Sequence, residues 1–291
     1  MRFSEYMSVT PIDKGWSGDR KYKVTEYTGA SYLLRIAPEE KYKAKEAEFE
    51  LMRQVSALGV PTCRPLDLGL CDEGVYMLLE WIDGMDAEHY IAALTEEEAY
   101  RLGIYAGDYL RRIHTLPAPK DAESWSERYG RKIDRKQRMY AECELKYENG
   151  QLLVDFINAN RHLIDSRPQV MHHGDYHTGN MMVNRNSELI IIDFDRHDFG
   201  DPWEEFNRII WCIQCSPTFA SGMVDGYFGG NVPEEFWRLL ALYMANNTLS
   251  SLPWAIPYGQ GEIDIMRGQA KQLLEWHDGL TRIVPTWYKR A

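Results

Sequence analysis

The sequence lacks any long apolar run. The 291-residue chain contains no stretch approaching the roughly 20 apolar residues that a helix needs to cross a bilayer. Its start, Met1-Arg-Phe-Ser-Glu5, leads into polar sequence without the apolar core of a secretory signal. We therefore expect no membrane partner and a cytoplasmic location.

Cysteine and positive charge are also scarce. Five Cys is an odd count for a chain of this length, which favours reduced thiols in the cytosol. Lys and Arg number 33 against 44 Asp and Glu, and the net charge of −11 argues against a nucleic-acid partner, which would require a basic surface. An acidic field attracts cations, although many soluble proteins are this acidic for solubility alone.

Two apolar runs flank a polar loop in the most informative stretch, 170–183, and a third apolar run follows at 189–195. Asn184-Arg-Asn-Ser187 separates the last two runs, and this predicts a tight hairpin between buried strands. Asp175, Asn180 and Asp193 lie at the ends of the predicted strands. Their carboxylate and amide oxygens suit a hard cation such as Mg²⁺, and also phosphoryl transfer.

Two other interpretations stay open at this point. The His and Asp residues of this region could form a Zn²⁺ or Fe site in a hydrolase. They are His172, His173, Asp175, His177, Asp193, Asp195 and His197. A purely structural interpretation makes them turn formers and strand caps, but it does not explain why charged side chains follow apolar strands, where unpaired charge is unfavourable.

The segment His173-Gly-Asp-Tyr-His-Thr-Gly-Asn180 resembles the catalytic loop of the aminoglycoside phosphotransferase family. Ile192-Asp-Phe-Asp195 and Gly200-Asp-Pro202 resemble the metal-binding segment that follows it. The resemblance covers about residues 14–207. It implies an α+β, two-lobed protein-kinase-like fold: an N-terminal nucleotide-binding lobe (1–82) with an antiparallel sheet and one helix, and a larger, mainly helical catalytic lobe (83–291).

The resemblance also implies a set of nucleotide contacts in the first lobe. Ser17 and Gly18 would lie in a flap over the phosphates, and the hinge residues Glu80 and Ile82 would contact the base through their main chain. Arg35 occupies the position where the family usually has a phosphate-binding Lys. Arg keeps the charge, but its longer, planar head makes it inequivalent to Lys. Glu48, on the apolar face of a predicted helix, matches the Glu that orients this cation.

The second lobe would supply the chemistry. By resemblance, Asp175 accepts the proton of the attacking hydroxyl, Asn180 and Asp193 hold Mg²⁺, and Asp195 is either a second metal ligand or a structural carboxylate. The remaining implied residues support the catalytic loop; they are His173 and Asp201. Four residues after Asp201, where the family often has Asp, this sequence has Glu205.

The function implied is transfer of the γ-phosphate of ATP or GTP to a hydroxyl of a small molecule. An aminoglycoside-like or other antibiotic acceptor, and therefore a cationic one, is favoured by the net acidity and by acidic residues scattered through the C-terminal half. A metabolite kinase acting on choline, homoserine, methylthioribose or a sugar amine is the alternative within the family. The alternative from another class is a catalytically silent nucleotide-binding regulator. It is suggested by Arg35, which stands where the family usually has Lys.

Hydrophobic periodicity and capping signals predict several further elements. Helices are expected at 39–58, with an apolar stripe that includes Ala44 and Ala47, at 95–116, where Thr95 and Glu98 form a capping box, and from Asp201 to Cys215. The charged segment 121–147 is interpreted as a lid, a substrate-facing helix pair or a solvated face.

Overall fold

A computed structural model describes residues 3–13 and 18–289 of the chain. The chain forms two compact units in this part of the sequence. The first contains the residues up to Tyr90 together with Thr178–His197, and the second contains Ile91–His177 and the chain from Asp198 onward. The hairpin predicted from the sequence therefore belongs to the first unit, and a lobe boundary after residue 82 stays a prediction.

The first unit is organised around an antiparallel sheet. Its strands, within the described residues, are β1 (Ser8–Ile12), β2 (Arg20–Thr25), β3 (Ser31–Ala37), β4 (Pro65–Cys71) and β5 (Gly74–Glu80). They are arranged in the order β1-β2-β3-β5-β4. Val24, Leu34 and Ile36 form an apolar cluster on this sheet. The alternation of apolar residues in the sequence predicts most of these strands, because one face of the sheet is buried.

Helix α1 (Tyr42–Ala57) connects β3 to β4 and follows a short 3-10 turn at Glu39–Lys41. Its buried residues are Lys45, Glu48, Leu51, Met52 and Val55. The predicted stripe is therefore wrong at its start, since Ala44 and Ala47 are exposed. The N-terminal half of the helix instead buries two charged side chains, which form ion pairs in the interior.

Shorter strands complete the sheet structure of the described chain. They are β6 (Gly84–Asp86), β7 (Val170–His172), β8 (Met181–Asn184), β9 (Leu189–Ile191) and β10 (Asp198–Gly200). In the first unit, β6, β8 and β9 form an antiparallel sheet in that order, and the 185–188 turn joins β8 to β9 as predicted. In the second unit, β7 pairs with β10.

The second unit is mainly helical. In the described sequence, a short helix α2 (Ala87–Ile91) precedes α3 (Glu96–Ile113), α4 (Trp125–Glu142), α5 (Gly150–Asn160), α6 (Ile209–Cys215), α7 (Pro217–Phe228), α8 (Glu234–Ala255) and α9 (Gln260–Trp276). The Thr95–Glu98 capping box at the start of α3 is present, with both reciprocal hydrogen bonds. No helix in the described ranges is long and apolar enough to cross a membrane.

The helix predicted to begin at Asp201 is only partly α-helical. Glu204–Arg208 form a 3-10 helix, and α-helix begins at Ile209. Asp201 accepts a hydrogen bond from the Trp203 N–H (3.0 Å), as expected of a capping residue, but its carboxylate also binds Arg167 and Tyr243. Since these tertiary contacts fix the first turn, the segment does not follow regular α-helical geometry.

Helices α3 and α7 approach each other through glycine. A Cβ atom at Gly103 would lie 2.1 Å from the Phe219 carbonyl oxygen, and one at Gly107 would lie 2.0 Å from the Met223 carbonyl oxygen. Gly222 and Gly226 on α7 face α3 with equally short clearances of 2.1 and 2.2 Å. Both helices therefore carry a Gly-x-x-x-Gly face, which lets the two backbones touch.

Candidate active site

The β8–β9 hairpin places Asn180 beside Asp193. Met181 pairs with Ile191, and one residue further out the Ile192 N–H donates to the Asn180 carbonyl at 3.1 Å. Asn180 thus immediately precedes one strand, and Asp193 follows the other at the same end of the hairpin. This arrangement follows from the hairpin register and brings together two of the predicted metal ligands.

The backbone of Asp193 is left-handed, with φ of +68°. Non-glycine residues adopt this region uncommonly, and such strain concentrates where a site requires an unusual side-chain direction. Two residues later lies Asp195. Burial, and next the negative charge of Asp193, raise the pKa of the Asp195 carboxyl above its ordinary value.

The residues at this end of the hairpin carry oxygen donors of the kind that divalent cations bind. Two carboxylates and an amide oxygen are the donor types that Mg²⁺ prefers. A bound cation would offset the Asp193 charge that contributes to the raised pKa of the Asp195 carboxyl. The grouping is consistent with the predicted metal role of Asn180, Asp193 and Asp195, which stays a prediction.

Arg35 and Glu48 form a buried ion pair, as the sequence predicts. Arg35 Nη1 donates to Glu48 Oε1 at 2.6 Å, and both residues are at most 5% exposed. On its other edge, Arg35 Nε and Nη2 donate to Asp19 Oδ2 at 3.0 and 2.7 Å. Although burial opposes the charge, the carboxylates of Glu48 and Asp19 raise the pKa of Arg35 above its ordinary value.

A second cation, Lys45, bridges the same two carboxylates. Its Nζ lies 2.6 Å from Asp19 Oδ2 and 2.8 Å from Glu48 Oε2, and the residue is 7% exposed. The buried cluster of Asp19, Arg35, Lys45 and Glu48 therefore contains two positive and two negative side chains. Sequence analysis missed Asp19 and Lys45; the available signal was the position of Lys45 three residues before Glu48, on the same helix face.

Three of the other predicted nucleotide contacts, Gly18, Glu80 and Ile82, lie in the described part of the first unit. Ser17 lies outside the described residues, and Gly18 is exposed. The Glu80 N–H donates to the Arg64 carbonyl at 2.9 Å, so this group is already hydrogen-bonded within the first unit. The Glu80 carbonyl accepts from Cys63 Sγ at 2.9 Å and retains a second lone pair. Glu80 and Ile82 line a cavity of about 500 Å³ in the first unit.

Asp175 belongs to the second unit and has two cationic or potentially cationic neighbours. Arg208 Nε lies 3.3 Å from Asp175 Oδ1, and His177 Nε2 lies 3.6 Å from the same oxygen. The Asp175 side chain is 15% exposed, so it is accessible to a small molecule. Arg208 is a further residue that sequence analysis missed, since nothing in the motif pointed to a residue 33 positions away.

Glu205 anchors the loop that carries Asp175. The Gly174 N–H donates to Glu205 Oε1 at 3.0 Å, and Gly174 itself has φ of +87°. Burial alone would raise the pKa of Glu205, but the neighbouring imidazoles of His114 (3.8 Å away), His172 and His173 lower it to about 2. The residue that departs from the family pattern is therefore an ionised carboxylate bound to the loop backbone.

His173 and Asp201 complete the support of the loop. His173 is fully buried, and its Nδ1 accepts from the Asp175 N–H at 3.3 Å. Asp201 is also fully buried; Arg167 forks onto its carboxylate at 2.7 and 3.1 Å, and its carbonyl oxygen is 2.8 Å from His172 Nε2. These contacts are consistent with the structural roles predicted for His173 and Asp201.

The alternative of a His- and Asp-rich metal centre has no structural counterpart here. Within residues 3–13 and 18–289, no group of three or more His, Cys, Asp or Glu side chains is arranged to hold a metal ion. His114, His172 and Glu205 instead pack together in the interior, and Glu205 binds the Gly174 backbone.

Comparison with known proteins agrees with the geometry. The model of a phosphotransferase enzyme family matches residues 8–240. The chain belongs to this family. Aminoglycoside 3'-phosphotransferase from Niallia circulans is 25% identical over 208 residues, which cover 67% of this chain and 75% of that protein.

Solved structures share the fold at low sequence identity. A choline/ethanolamine kinase family protein from Mesorhizobium loti has a TM-score of 0.68 and 16% identity, covering 96% of this chain and 92% of its own. The GDP complex of an aminoglycoside 2'-phosphotransferase mutant has a TM-score of 0.67 and 15% identity, covering 94% of both chains. The prediction of a protein-kinase-like α+β fold and the resemblance to aminoglycoside phosphotransferases are confirmed.

Proposed function

We propose that this protein is a small-molecule kinase that moves the γ-phosphoryl group of ATP or GTP to a hydroxyl group of its acceptor. The observation that carries the proposal is the hairpin that aligns Asn180 with Asp193 and holds Asp193 in a strained conformation. Membership of the phosphotransferase family gives the reaction class, and the GDP-bound structural neighbour supports a nucleotide as the donor.

In the proposed mechanism, Asp175 orients the acceptor hydroxyl and takes its proton. Arg208 forms an ion pair with Asp175 at 3.3 Å and adds positive charge near the group that reacts. Glu205 holds the Gly174 amide, so the loop is fixed before substrate binds. Phosphoryl transfer depends mainly on such positioning and on charge neutralisation.

The first unit would bind the nucleotide phosphates. Arg35 keeps N–H groups beyond those used by Asp19 and Glu48, and Lys45 adds a second cation to the same cluster. Asn180, Asp193 and Asp195 would hold Mg²⁺, which when bound neutralises phosphate charge. We propose that Arg35 and Lys45 together replace the single strand Lys that the family usually carries.

The acceptor class is the finest part of the proposal. The aminoglycoside 3'-phosphotransferase relative supports an aminoglycoside-like acceptor, and the choline/ethanolamine kinase neighbour supports a small amino alcohol. Several C-terminal acids that motivated a cationic acceptor are engaged within the protein: Asp225 accepts hydrogen bonds from Tyr100 and Tyr288, and Glu234 pairs with Arg238. The acceptor must therefore be identified by experiment.

A coupled ADP- or GDP-release assay with Mg²⁺ tests this proposal. Each nucleotide is combined with a panel of aminoglycosides, macrolides, amino alcohols and sugar metabolites. Nucleoside diphosphate release that requires one acceptor, together with a mass increase of one phosphoryl group on that acceptor, supports the kinase. Activity that is independent of nucleotide would overturn it.

The alternative of a silent nucleotide-binding regulator is favoured by one observation: three of the Arg35 N–H groups already bind carboxylates. Thermal stabilisation by nucleotide without transfer to any member of the panel would support this alternative over the kinase. An Arg35→Lys variant that gains transfer activity would point to the same conclusion.

A further inference from the structure

Helix α4 presents a concentration of positive charge in an otherwise acidic protein. It carries six Lys and Arg residues against three acids, whereas the whole chain has a net charge of −11. Its cationic side chains line a cavity of about 550 Å³ in the second unit; those at the cavity are Arg128, Arg131, Lys132, Arg135 and Arg138. The volume is that of a small-molecule site.

Protein carboxylates form ion pairs with only some of these cationic side chains in the described part of the chain. Arg128 pairs with Asp198 at 2.9 Å, Lys132 pairs with the buried Glu204 at 2.8 Å, and Arg131 pairs with Glu123. Arg135 and Arg138 have no ion-pair partner within 4 Å in the described part of the chain. These two arginines line the cavity and can therefore pair with an anionic ligand.

Buried Lys136 adds to the imbalance. It is 8% exposed, and among residues 3–13 and 18–289 its Nζ donates only to a neutral acceptor, Asn247 Oδ1, at 3.0 Å. Burial, and then the positive charges of Lys132, Arg208 and Arg135, lower the pKa of Lys136 to about 7, although Glu204 opposes the shift. A negative charge bound in the cavity would stabilise this group.

Aromatic rings hold part of the basic wall in place. Trp125 and Tyr129 are buried and stacked with ring centroids 4.8 Å apart. Arg128 lies 5.2 Å above the Trp125 ring, and Lys132 lies 5.0 Å above the Tyr129 ring. Since these cations are fixed by ring stacking and by carboxylates, they are pre-organised, unlike those of a solvated helix face.

We propose that the α4 cavity binds the phosphate group of a phosphorylated small molecule. A dianionic phosphate matches the charge of Arg135 and Arg138, whose planar heads can fork onto phosphate oxygens. The phosphate has two possible sources: it is part of the acceptor, or it belongs to a separate ligand. A nucleic-acid phosphate backbone does not fit, because the rest of the protein is acidic.

Binding tests the proposal directly and does not depend on kinase activity. Inorganic phosphate, sugar phosphates and the corresponding unphosphorylated sugars are titrated by calorimetry at low ionic strength. The double variant Arg135→Gln/Arg138→Gln should weaken phosphate and sugar-phosphate binding at least tenfold. The matched control Arg53→Gln/Arg267→Gln removes the same charge from exposed positions on α1 and α9, which do not line the cavity, and should change the affinity less than twofold.

Three outcomes overturn the proposal. The first is that the wild-type protein binds neither phosphate nor sugar phosphates. The second is that the Arg135/Arg138 variant keeps full binding, which would place the phosphate at the nucleotide site. The third is that both double variants lose binding equally. Circular dichroism and melting temperature confirm that the variants fold, as expected because Arg135 and Arg138 are exposed.

Kinetics then separate the two sources of phosphate. If the acceptor carries it, inorganic phosphate competes with the acceptor, and the Arg135/Arg138 variant raises the KM for the acceptor while kcat is kept. If a separate ligand carries it, phosphate changes the rate without competing with the acceptor. Failure to find any kinase activity would leave the binding result intact, so the two proposals fail independently.

Discussion

Two carboxylates, one in each unit, carry the proposed chemistry. In the second unit, Asp175 is a partly exposed carboxylate with Arg208 at 3.3 Å, on a loop whose backbone is held by Glu205. In the first, Asp193 has a left-handed backbone, and strain of this kind, on the order of 1–3 kcal/mol, persists only where the surrounding structure enforces it. Both residues combine an accessible carboxylate with a rigid support.

Asp175→Asn should lower acceptor phosphorylation by about 10²–10⁴-fold, because the amide cannot take the proton of the hydroxyl. Nucleotide affinity, measured by calorimetry, should stay within about twofold of wild type. Asp155→Asn, at an exposed position on α5, serves as the matched control and should keep full activity. Similar turnover in the Asp175 variant and wild type would remove Asp175 from the mechanism.

The Asp19, Arg35, Lys45 and Glu48 cluster should be intolerant of partial removal. Lys45→Met leaves two buried carboxylates with one cation, and breaking buried pairs of this type costs about 3–5 kcal/mol. Arg35→Lys keeps the charge but loses the fork, so it should destabilise less. Urea unfolding measures both; a Lys45→Met variant as stable as wild type would show that the cluster is not coupled.

At the scale of elements, close backbone packing matters as much as side-chain burial. Helices α3 and α7 meet where carbonyl oxygens occupy the space of a side chain, at Gly103, Gly107, Gly222 and Gly226. The 3-10 segment Glu204–Arg208 carries two residues that reach the catalytic loop, since Glu205 binds Gly174 and Arg208 binds Asp175. An irregular element thus positions the candidate catalytic residue.

Gly107→Ala should destabilise the protein by about 1–3 kcal/mol, because the new methyl group overlaps the Met223 carbonyl oxygen and the helices must separate. Gly268→Ala, within α9, provides the control, because no other described part of the chain comes within 4 Å of the added methyl apart from the adjoining helix backbone. It should stabilise by about 0.5–1 kcal/mol, since Ala has the higher helix propensity. Equal melting temperatures for the two variants would contradict the close packing.

The low pKa of Glu205, about 2 against an ordinary 4.5, makes stability depend on pH. A folded-state pKa below the unfolded value means that the carboxylate stabilises fully above pH 4.5. This contribution, on the order of 3 kcal/mol, is lost as the pH falls from 4.5 toward 2. Denaturant unfolding between pH 3 and 7 should show a wild-type advantage over Glu205→Gln that shrinks with acidification. A difference independent of pH would refute the ionised state of Glu205.

At the scale of the whole molecule, each unit is assembled from segments distant in sequence. Residues 178–197 belong to the first unit, although residues 91–177, which precede them in the chain, belong to the second. The sheet β6-β8-β9 is formed across this interval. The metal-binding candidates Asn180, Asp193 and Asp195 are therefore part of the same compact unit as Arg35.

Hydrogen exchange should reveal this grouping. A nucleoside triphosphate with Mg²⁺ at saturating concentration should protect the backbone amides of 178–197 together with those of 18–57 from exchange, since ligand binding stabilises the unit that binds it. An Asp193→Ala variant should lose the protection in both segments. Protection confined to 18–57 would argue against a metal role for the hairpin.

Local patterns predicted much of this structure. Alternation predicted the strands of the first unit, and capping residues predicted the start of α3, because each depends on neighbours in sequence. The Arg35–Glu48 pair followed from the resemblance and the helix face. Asp19, Lys45 and Arg208 could not be predicted, since their contacts depend on which charged groups the fold buries together. The positive charge of α4 could be read from the sequence, but the cavity that it lines could not.

The interrupted first unit also has a consequence for synthesis on the ribosome. Strand β6 is made long before β8, its hydrogen-bonded partner, because residues 91–177 intervene. At about 5–20 residues per second, the nascent chain waits on the order of ten seconds before this pairing can occur. During that time the edge presented by β6 is unpaired, so nascent chains stalled before residue 178 should be substrates for chaperones.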